Sequence, residues 1–180
     1  MTDIYFAGIG SRETPEEIAA KQKKVAKVLA AAGIVLRSGG ADGSDTNFEE
    51  AYIEAGGKME IWLPWKGFNG RKGDKYLPTP KHYAVAQTVH PAWQYLKRGP
   101  QALHARNIGQ VLGMDVETPV AFVLCWTKDG AMAESDVTKN TGGTGTAIKL
   151  AARMGIPVIN MYHDEWMQLL KVVLCTVKPS

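Results

Sequence analysis

Apolar and polar positions along this chain repeat in a pattern of short apolar runs followed by longer amphipathic segments. The apolar runs predict five β-strands, at residues 4–10, 34–40, 59–65, 119–127 and 156–160. Helical spacing of the apolar residues predicts helices at 14–33, 44–56, 101–113 and 146–154, with a last one from about residue 163. This alternation predicts an α/β three-layer sandwich, with a mainly parallel sheet of about five strands and helices on both faces.

One segment interrupts the alternation. Residues 66–83 (KGFNGRKGDKYLPTPKHY) are polar and rich in Gly and Pro, which predicts a long loop. From Trp65 to Arg98 the chain carries seven basic side chains, one acidic side chain and six aromatic residues, although its net charge is only +3. We therefore expect one domain over residues 1–180 with a basic, aromatic-rich insertion at about 65–98.

Three roles suit this basic insertion. Its aromatic residues could pack a helical insertion while the lysines are solvated. Basic side chains mixed with aromatic rings also suit single-stranded DNA, on which bases stack. The insertion could instead close over a nucleotide site, with Lys66 or Arg71 meeting a phosphate.

The composition narrows the class of protein. An apolar fraction of 45% and a charged fraction of 22% are typical of soluble globular domains. No apolar run is long enough to span a membrane, and the first residues do not resemble a secretion signal. The two cysteines and four histidines are scattered, so we expect reduced thiols in a cytoplasmic protein and no metal site. We also expect no membrane partner and no cofactor.

The richest chemistry lies in turns that directly follow predicted strands. Because the carboxyl ends of parallel strands share one edge, these turns should line a common crevice. The candidate ligand-binding residues are Gly10, Ser11 and Arg12 after the first strand, Ser38, Gly39, Gly40, Asp42, Gly43 and Ser44 after the second, Trp126 ending the fourth, and Thr141, Gly142, Gly143, Thr144, Gly145 and Thr146 before the fifth helix.

The turn at 140–146 (NTGGTGT) suits a phosphate. Glycines let a ligand approach the main chain, and free amides at a helix N-terminus attract an anion. A tight capped turn without a ligand explains the same residues equally well. Arg12 suits phosphate, Asp42 or Asp45 suits ribose hydroxyls, and Trp126 suits either base stacking or the core.

Two common nucleotide motifs are missing. Glu13 stands where a dinucleotide fingerprint has its third glycine, and the Gly-rich turn lacks the Gly-Lys-Ser/Thr ending of a Walker loop. A bound dinucleotide or a nucleoside-triphosphatase cycle is therefore not expected.

Four segments carry a family resemblance. YFAGIGSRETP (5–15) and LRSGGADGSD (36–45) resemble the Rossmann-like core of the DNA-processing protein A (Smf) family, although Asp42 and Ser44 replace its usual Arg and Ile. TGGTGTAIK (141–149) is similar to a motif of the Lonely Guy phosphoribohydrolases, and LHARN (103–107) resembles segments of both groups. Both belong to the SLOG superfamily, which includes small stand-alone members in bacteriophage genomes.

The resemblance implies several functions. Lonely Guy enzymes break the bond between a base and ribose 5-phosphate with an Arg, matched by Arg106, and a Glu, whose position holds Lys149. Asp42, Asp45 or Glu49 could supply the carboxylate, and Arg106 with Asp45 are the candidate catalytic residues.

We expect binding of a nucleotide or nucleotide-derived ligand, for sensing or sequestering it. N-glycosidic hydrolysis of nucleoside 5′-monophosphates and binding of single-stranded DNA in recombination or DNA processing are the alternatives. A homodimer or higher homo-oligomer is implied by the family alone.

Overall fold

A single sheet of five parallel strands organises the protein, whose computed structural model describes residues 2–177. The strands lie in the order β3-β2-β1-β4-β5. They are β1 (Tyr5–Gly10), β2 (Val35–Ser38), β3 (Met59–Ile61), β4 (Phe122–Trp126) and β5 (Val158–Asn160). The chain builds outward from β1 to β3 and then returns to place β4 on the other side of β1. This reversal leaves a crevice at the carboxyl ends of β1 and β4.

Within residues 2–177, six α-helices cover the two faces of the sheet. They are α1 (Glu16–Ala31), α2 (Ser44–Ala55), α3 (Pro80–Val89), α4 (Arg98–Leu112), α5 (Gly145–Arg153) and α6 (Trp166–Thr176). Two buried apolar clusters show which face of the sheet each helix covers. On one face, α1, α2 and α6 pack with Phe6, Leu36 and Leu124. On the other face, α3, α4 and α5 pack with Ala7, Ile9 and Val123. Because neighbouring residues of a strand point to opposite faces of the sheet, β1 and β4 contribute side chains to both clusters. The predicted three-layer α/β fold is confirmed.

Helix α3 corrects one expectation, because the predicted loop at 66–83 ends at Thr79. Thr79 is the N-cap and Pro80 the first helical residue, which suits its fixed φ. The buried His82 ring closes the cap by accepting from the Thr79 amide at 3.0 Å, and its other nitrogen contacts the Gly113 carbonyl oxygen at 2.9 Å. The short Thr-Pro signal was hidden by the Gly/Pro-rich residues before it.

Trp62, which follows β3, joins the insertion to the sheet. Its ring is completely buried and packs against Tyr76 and His82, with ring centroids 5.7 and 5.1 Å away. On its other side it lies against α4 at Gly109, where a Cβ atom would come within 2.2 Å of the indole. The missing side chain at 109 is therefore what lets α4 approach Trp62.

Candidate ligand-binding site

A cavity of about 480 Å³ opens at the crevice between β1 and β4, at the carboxyl edge of the sheet. Its volume falls in the range of small-molecule sites. Four parts of the chain line most of it: the turn after β1, the start of α2, one face of α4 and the Gly-rich turn before α5. The site therefore lies where a parallel sheet with this strand order is expected to bind a ligand.

The Gly-rich turn forms one wall. Thr141, Gly142, Gly143 and Thr144 line the cavity, and the turn runs directly into α5 at Gly145. Gly142 has a φ of +70°, which favours glycine. From α4, Asn107 donates its side-chain amide to the Gly143 carbonyl at 2.6 Å, fixing the turn against that helix.

Gly145 and Thr146 lie behind this wall. Gly145 faces Val137, which a Cβ atom would approach within 2.9 Å. The Thr146 hydroxyl pairs with His104 Nδ1 at 2.7 Å, and His104 itself lines the cavity. Burial, with a smaller effect of His90, lowers the pKa of His104 to about 4, so this ring is neutral at pH 7.

Asp129, in the loop after β4, ties that loop to the Gly-rich turn. Its carboxylate accepts from the hydroxyls of Thr127, Thr138 and Thr141 at 2.9, 2.8 and 2.5 Å. Burial alone would raise the pKa of Asp129, but these bonds outweigh it and the pKa lies below its usual value. Asp129 thus remains a carboxylate at neutral pH and holds both loops in one arrangement.

Opposite charges are buried at the inner end of the cavity. Asp45 of α2 and Arg106 of α4 are 3% and 7% exposed, and both line it. Arg106 donates from Nη1 to the Gly39 carbonyl and from Nε to Asn107 at 3.1 Å, while Asp45 accepts from the Ala41 amide at 3.3 Å. Burial raises the pKa of Asp45 to about 6, against the opposing effect of Arg106.

A second carboxylate stands one turn along α2 from Asp45. Glu49 is buried, accepts from the Gly40 amide at 2.8 Å and forms a 2.6 Å ion pair with Arg71 of the insertion. Burial and then the nearby Asp45 charge raise the pKa of Glu49 to about 7. The buried side chains of Asp45, Glu49 and Arg106 therefore form, with the partly exposed Arg71, one largely buried charge cluster at the inner end of the cavity.

Glu49→Gln should flatten the pH dependence of stability. Because the folded pKa lies above the ordinary 4.5, the folded protein holds a proton that the unfolded chain loses between pH 4.5 and about 7. Stability therefore falls as pH rises through that window. The substitution should reduce this fall in the free energy of unfolding by about 3 kcal/mol between pH 4.5 and 8. Urea unfolding at the two pH values measures it.

Glu50→Gln is the matched control for this prediction. Glu50 lies on the same helix, but it is exposed and pairs with Lys23 at the surface. The stability of Glu50→Gln should change with pH in parallel with that of the wild type. Equal slopes for Glu49→Gln and the wild type would contradict the buried charge cluster.

Exposed cationic side chains lie around the opening of the cavity, its mouth. Arg12 after β1, Lys128 after β4 and Lys139 in the Gly-rich turn are exposed and line the cavity. Lys128 forms an ion pair with Glu13 across the gap between two of these loops. Together with Arg106, the lining carries four cationic side chains against the carboxylates of Glu13 and Asp45, so the cavity favours an anion.

Several predicted site residues serve the loops rather than the cavity lining. The buried Ser38 donates to the Gly8 carbonyl at 2.7 Å, and Ser44 bonds with Thr14 and Gln22. Gly43, with a φ of +77°, allows close approach to the Ser11 carbonyl. Gly10 and Ser11 do line the cavity.

Asp42 and Trp126 lie away from the cavity. Asp42 is exposed and accepts from Asn69 of the insertion at 3.1 Å, and Asn69 also donates to the Gly40 carbonyl at 3.0 Å. Trp126 packs in the apolar cluster beneath α1, α2 and α6. Its side chain thus belongs to the opposite face of the sheet from α4.

The insertion packs beside the site. Phe68 lies 5.8 Å from the Arg106 guanidinium, and Arg71 reaches Glu49. Tyr83 and Trp93 pack against the core, whereas Tyr95 is 80% exposed. Its surface also carries six exposed basic side chains: Lys66, Lys72, Lys75, Lys81, Lys97 and Arg98.

The α4 face is the part of the site that strand-end turns do not predict. Leu103, Asn107 and Gln110 line the cavity with Arg106, at spacings that place them on one helix face. Only Arg106 was predicted, from the LHARN segment. Polar residues recurring at helical spacing within an otherwise apolar helix are the signal that would have found Asn107 and Gln110.

Neither a membrane-spanning helix nor a metal-binding cluster occurs in the described part of the chain. Within residues 2–177 no helix has both the length and the apolar character to cross a membrane. The same residues contain no group of three or more His, Cys, Asp or Glu placed to hold a metal ion.

Comparisons with known proteins identify the fold. No protein-family model and no curated protein matches the sequence. DNA processing protein A from Streptococcus pneumoniae is similar in structure, with a TM-score of 0.54 and 17% identity over 99% of this chain. The chain spans 62% of the length of that protein.

A second similar structure describes the single-stranded DNA binding mode of DNA processing protein A from Helicobacter pylori. Its TM-score is 0.44 and its identity is 12%, over 97% of this chain and 82% of the other. The comparison with the Streptococcus protein shows the fold alone, because the identity is low. This chain therefore has the Rossmann-like fold of DNA processing protein A.

Proposed function

We propose that the protein binds a nucleotide or nucleotide-derived ligand at the carboxyl-edge cavity, to sense or sequester it. The observation that carries the proposal is the cavity itself, where the Gly-rich turn meets Arg12, Arg106, Lys128 and Lys139. A Gly-rich turn entering a helix favours phosphate through its main-chain amides, and the cations add charge. The ligand would place its phosphate on this turn, near the cationic mouth.

Membership of the SLOG superfamily belongs to this proposal. It rests on the four sequence segments and the shared fold. A bacteriophage source and homo-oligomeric assembly remain expectations of the same resemblance, and a cytoplasmic location remains the expectation from the scattered cysteines.

Hydrolysis of an N-glycosidic bond is the second candidate, and the proximity of Asp45 to Arg106 favours it. Asp45 lines the cavity beside Arg106, whereas Lys149, at the position of the Lonely Guy Glu, lies on α5 outside the lining. In such a reaction a water oxygen bonds to the sugar C1′, and the base leaves with the bonding electrons and takes up a proton. Asp45 would stabilise the developing positive charge on the sugar.

Single-stranded DNA is the third candidate, favoured by the exposed basic side chains of the insertion. It is the ligand described for the Helicobacter protein. Phosphate-dominated binding would weaken steeply with salt, by about one decade in affinity per decade of salt for each phosphate contacted.

Gly143→Ala tests the main proposal. A Cβ atom at 143 meets nothing within 4 Å, so the variant should fold while its methyl group obstructs close approach to the turn. We expect calorimetric affinity for ribose 5-phosphate or a nucleoside 5′-monophosphate to fall about tenfold with an unchanged melting temperature. Gly99→Ala, equally open and outside the cavity, is the control. Failure of the wild type to bind any of these probes, or equal binding by Gly143→Ala, would refute the proposal.

The same probes separate the alternatives. Release of free base from a nucleoside monophosphate, abolished by Asp45→Asn, would establish the hydrolase. Binding of an oligonucleotide but no mononucleotide, with a steep salt dependence and loss in Lys72→Ala/Lys75→Ala, would establish DNA binding through the insertion.

A further inference from the structure

Three polar side chains converge at the inner end of the cavity. A Cβ atom at Gly39 would lie 2.4 Å from Arg106 Nη1, 2.4 Å from Gln110 Nε2 and 2.7 Å from Asp45 Oδ2. The space that a side chain at 39 would fill is therefore occupied by a guanidinium, a carboxamide and a carboxylate. All three residues also line the cavity.

Gln110 is the member of this group without a role inside the protein. It is 2% exposed, yet its carboxamide has no hydrogen-bond partner among residues 2–177. Its carboxamide is open to the cavity rather than fully enclosed, since among those residues the enclosed polar side-chain atom without any polar contact is Trp62 Nε1. Buried polar groups are nearly always hydrogen-bonded to protein or to water, so a carboxamide on a cavity wall with no protein partner is available to a ligand that displaces the water.

The charge of this inner wall indicates the kind of group that fits. Arg106 already donates to Gly39 and Asn107, and Asp45 lies in the same cluster with opposite charge. A second phosphate at this wall would therefore be repelled by Asp45 as well as attracted by Arg106, so it would add little to the binding free energy. A carboxamide offers an acceptor beside two donors. It therefore matches an uncharged edge of a ligand on which a donor stands next to an acceptor.

Distance along α4 separates this wall from the mouth. Gln110 lies one helical turn beyond Arg106, about 6 Å along the axis, and toward the C-terminus of α4. Arg12, Lys128 and Lys139, by contrast, are exposed at the opening. A ligand with its phosphate at the Gly-rich turn and the mouth would present its other end to Gln110.

We propose that Gln110 is a specificity-determining residue that reads the hydrogen-bonding edge of a nucleobase in the bound ligand. The inference rests on the proposed nucleotide-binding function and adds which part of the nucleotide the inner wall recognises. Because a glutamine site leaves its carboxamide unpaired when the base is missing, the protein should discriminate strongly against a ligand that lacks one.

The test compares nucleoside 5′-monophosphates carrying each of the four common bases with ribose 5-phosphate, by calorimetry. In the wild type, at least one monophosphate should bind tenfold or more tightly than ribose 5-phosphate. Gln110→Met, similar in size but unable to pair with a base, should abolish that difference. It should leave ribose 5-phosphate affinity within about twofold and the melting temperature close to that of the wild type.

Gln101→Met is the matched control. It makes the same chemical change in the same helix, at a residue that bonds to Trp93 outside the cavity. It should preserve the preference for the monophosphate.

Two outcomes would overturn the assignment while leaving phosphate binding intact. Ribose 5-phosphate could bind the wild type as tightly as the best monophosphate, or Gln110→Met could weaken both probes equally. Failure of every probe to bind the wild type would overturn the proposed function and this inference together.

Discussion

Gly109→Ala is expected to destabilise the protein by about 3 kcal/mol, although alanine is the better helix former. Inside an exposed helix this change would gain about 1 kcal/mol. Here the new Cβ would lie 2.2 and 2.3 Å from two carbons of the Trp62 ring, which is completely buried. Tyr76 and His82 flank that ring, so it cannot move aside without disturbing the insertion. Urea unfolding at pH 7 measures the loss.

Two further variants isolate this clash. Gly99→Ala, in the first turn of the same helix, meets nothing within 4 Å and should be neutral or slightly stabilising. Trp62→Phe shrinks the ring and removes an indole N–H that has no partner within residues 2–177, so it should recover part of the loss in the double variant. A Gly109→Ala protein as stable as the wild type would mean that Trp62 does not pack against α4.

Arg106→Met should have the second large effect, a loss of about 3 kcal/mol in the free energy of unfolding at pH 8 together with weaker anion binding. The substitution keeps a long side chain but removes the donor to the Gly39 carbonyl and the cation facing Asp45. Asp45 would then be a buried carboxylate without its nearest compensating charge. Urea unfolding and calorimetry with a nucleoside monophosphate measure the two losses.

The pH dependence of this variant gives a second readout. Burial already raises the pKa of Asp45 to about 6, and removal of Arg106 raises it further. A folded pKa above the unfolded value means that stability falls as pH rises, so the deficit of Arg106→Met should shrink toward pH 5.

Adding Asp45→Asn should also reduce that deficit, because removing both charges costs less than leaving one unpaired. If the double variant is less stable than the sum of the single changes, the two charges do not stabilise each other. A deficit that is constant from pH 5 to 8 would lead to the same conclusion.

The fold was accessible from the sequence because its signals are local. Strands β1, β4 and β5 are short apolar runs that end at or just before a glycine or a polar residue, and β4 is apolar on both faces because helices cover both. Helix α3 was missed because its Thr79–Pro80 start follows a stretch rich in Gly and Pro, and its buried His82 acquires a partner only from the distant Gly113.

The candidate site was predictable only in part, for a physical reason. Strand order predicts which turns share an edge, so the Gly-rich turn and Arg12 could be expected at the cavity. Which side of a turn faces the cavity depends on tertiary contacts: Asp42 is held by Asn69, and Ser38 points back to Gly8. Gln110 and Asn107 come from a helix whose rotation about its axis depends on packing at Gly109.

The threonine bonds of Asp129 have a consequence for the thermodynamics of binding. A glycine-rich turn normally loses considerable conformational entropy when a ligand orders it. Here three hydroxyls from two loops already hold it through one carboxylate, and Asn107 fixes its far side. The turn is therefore preorganised, so its ordering entropy is lost during folding and association should require little rearrangement of the protein.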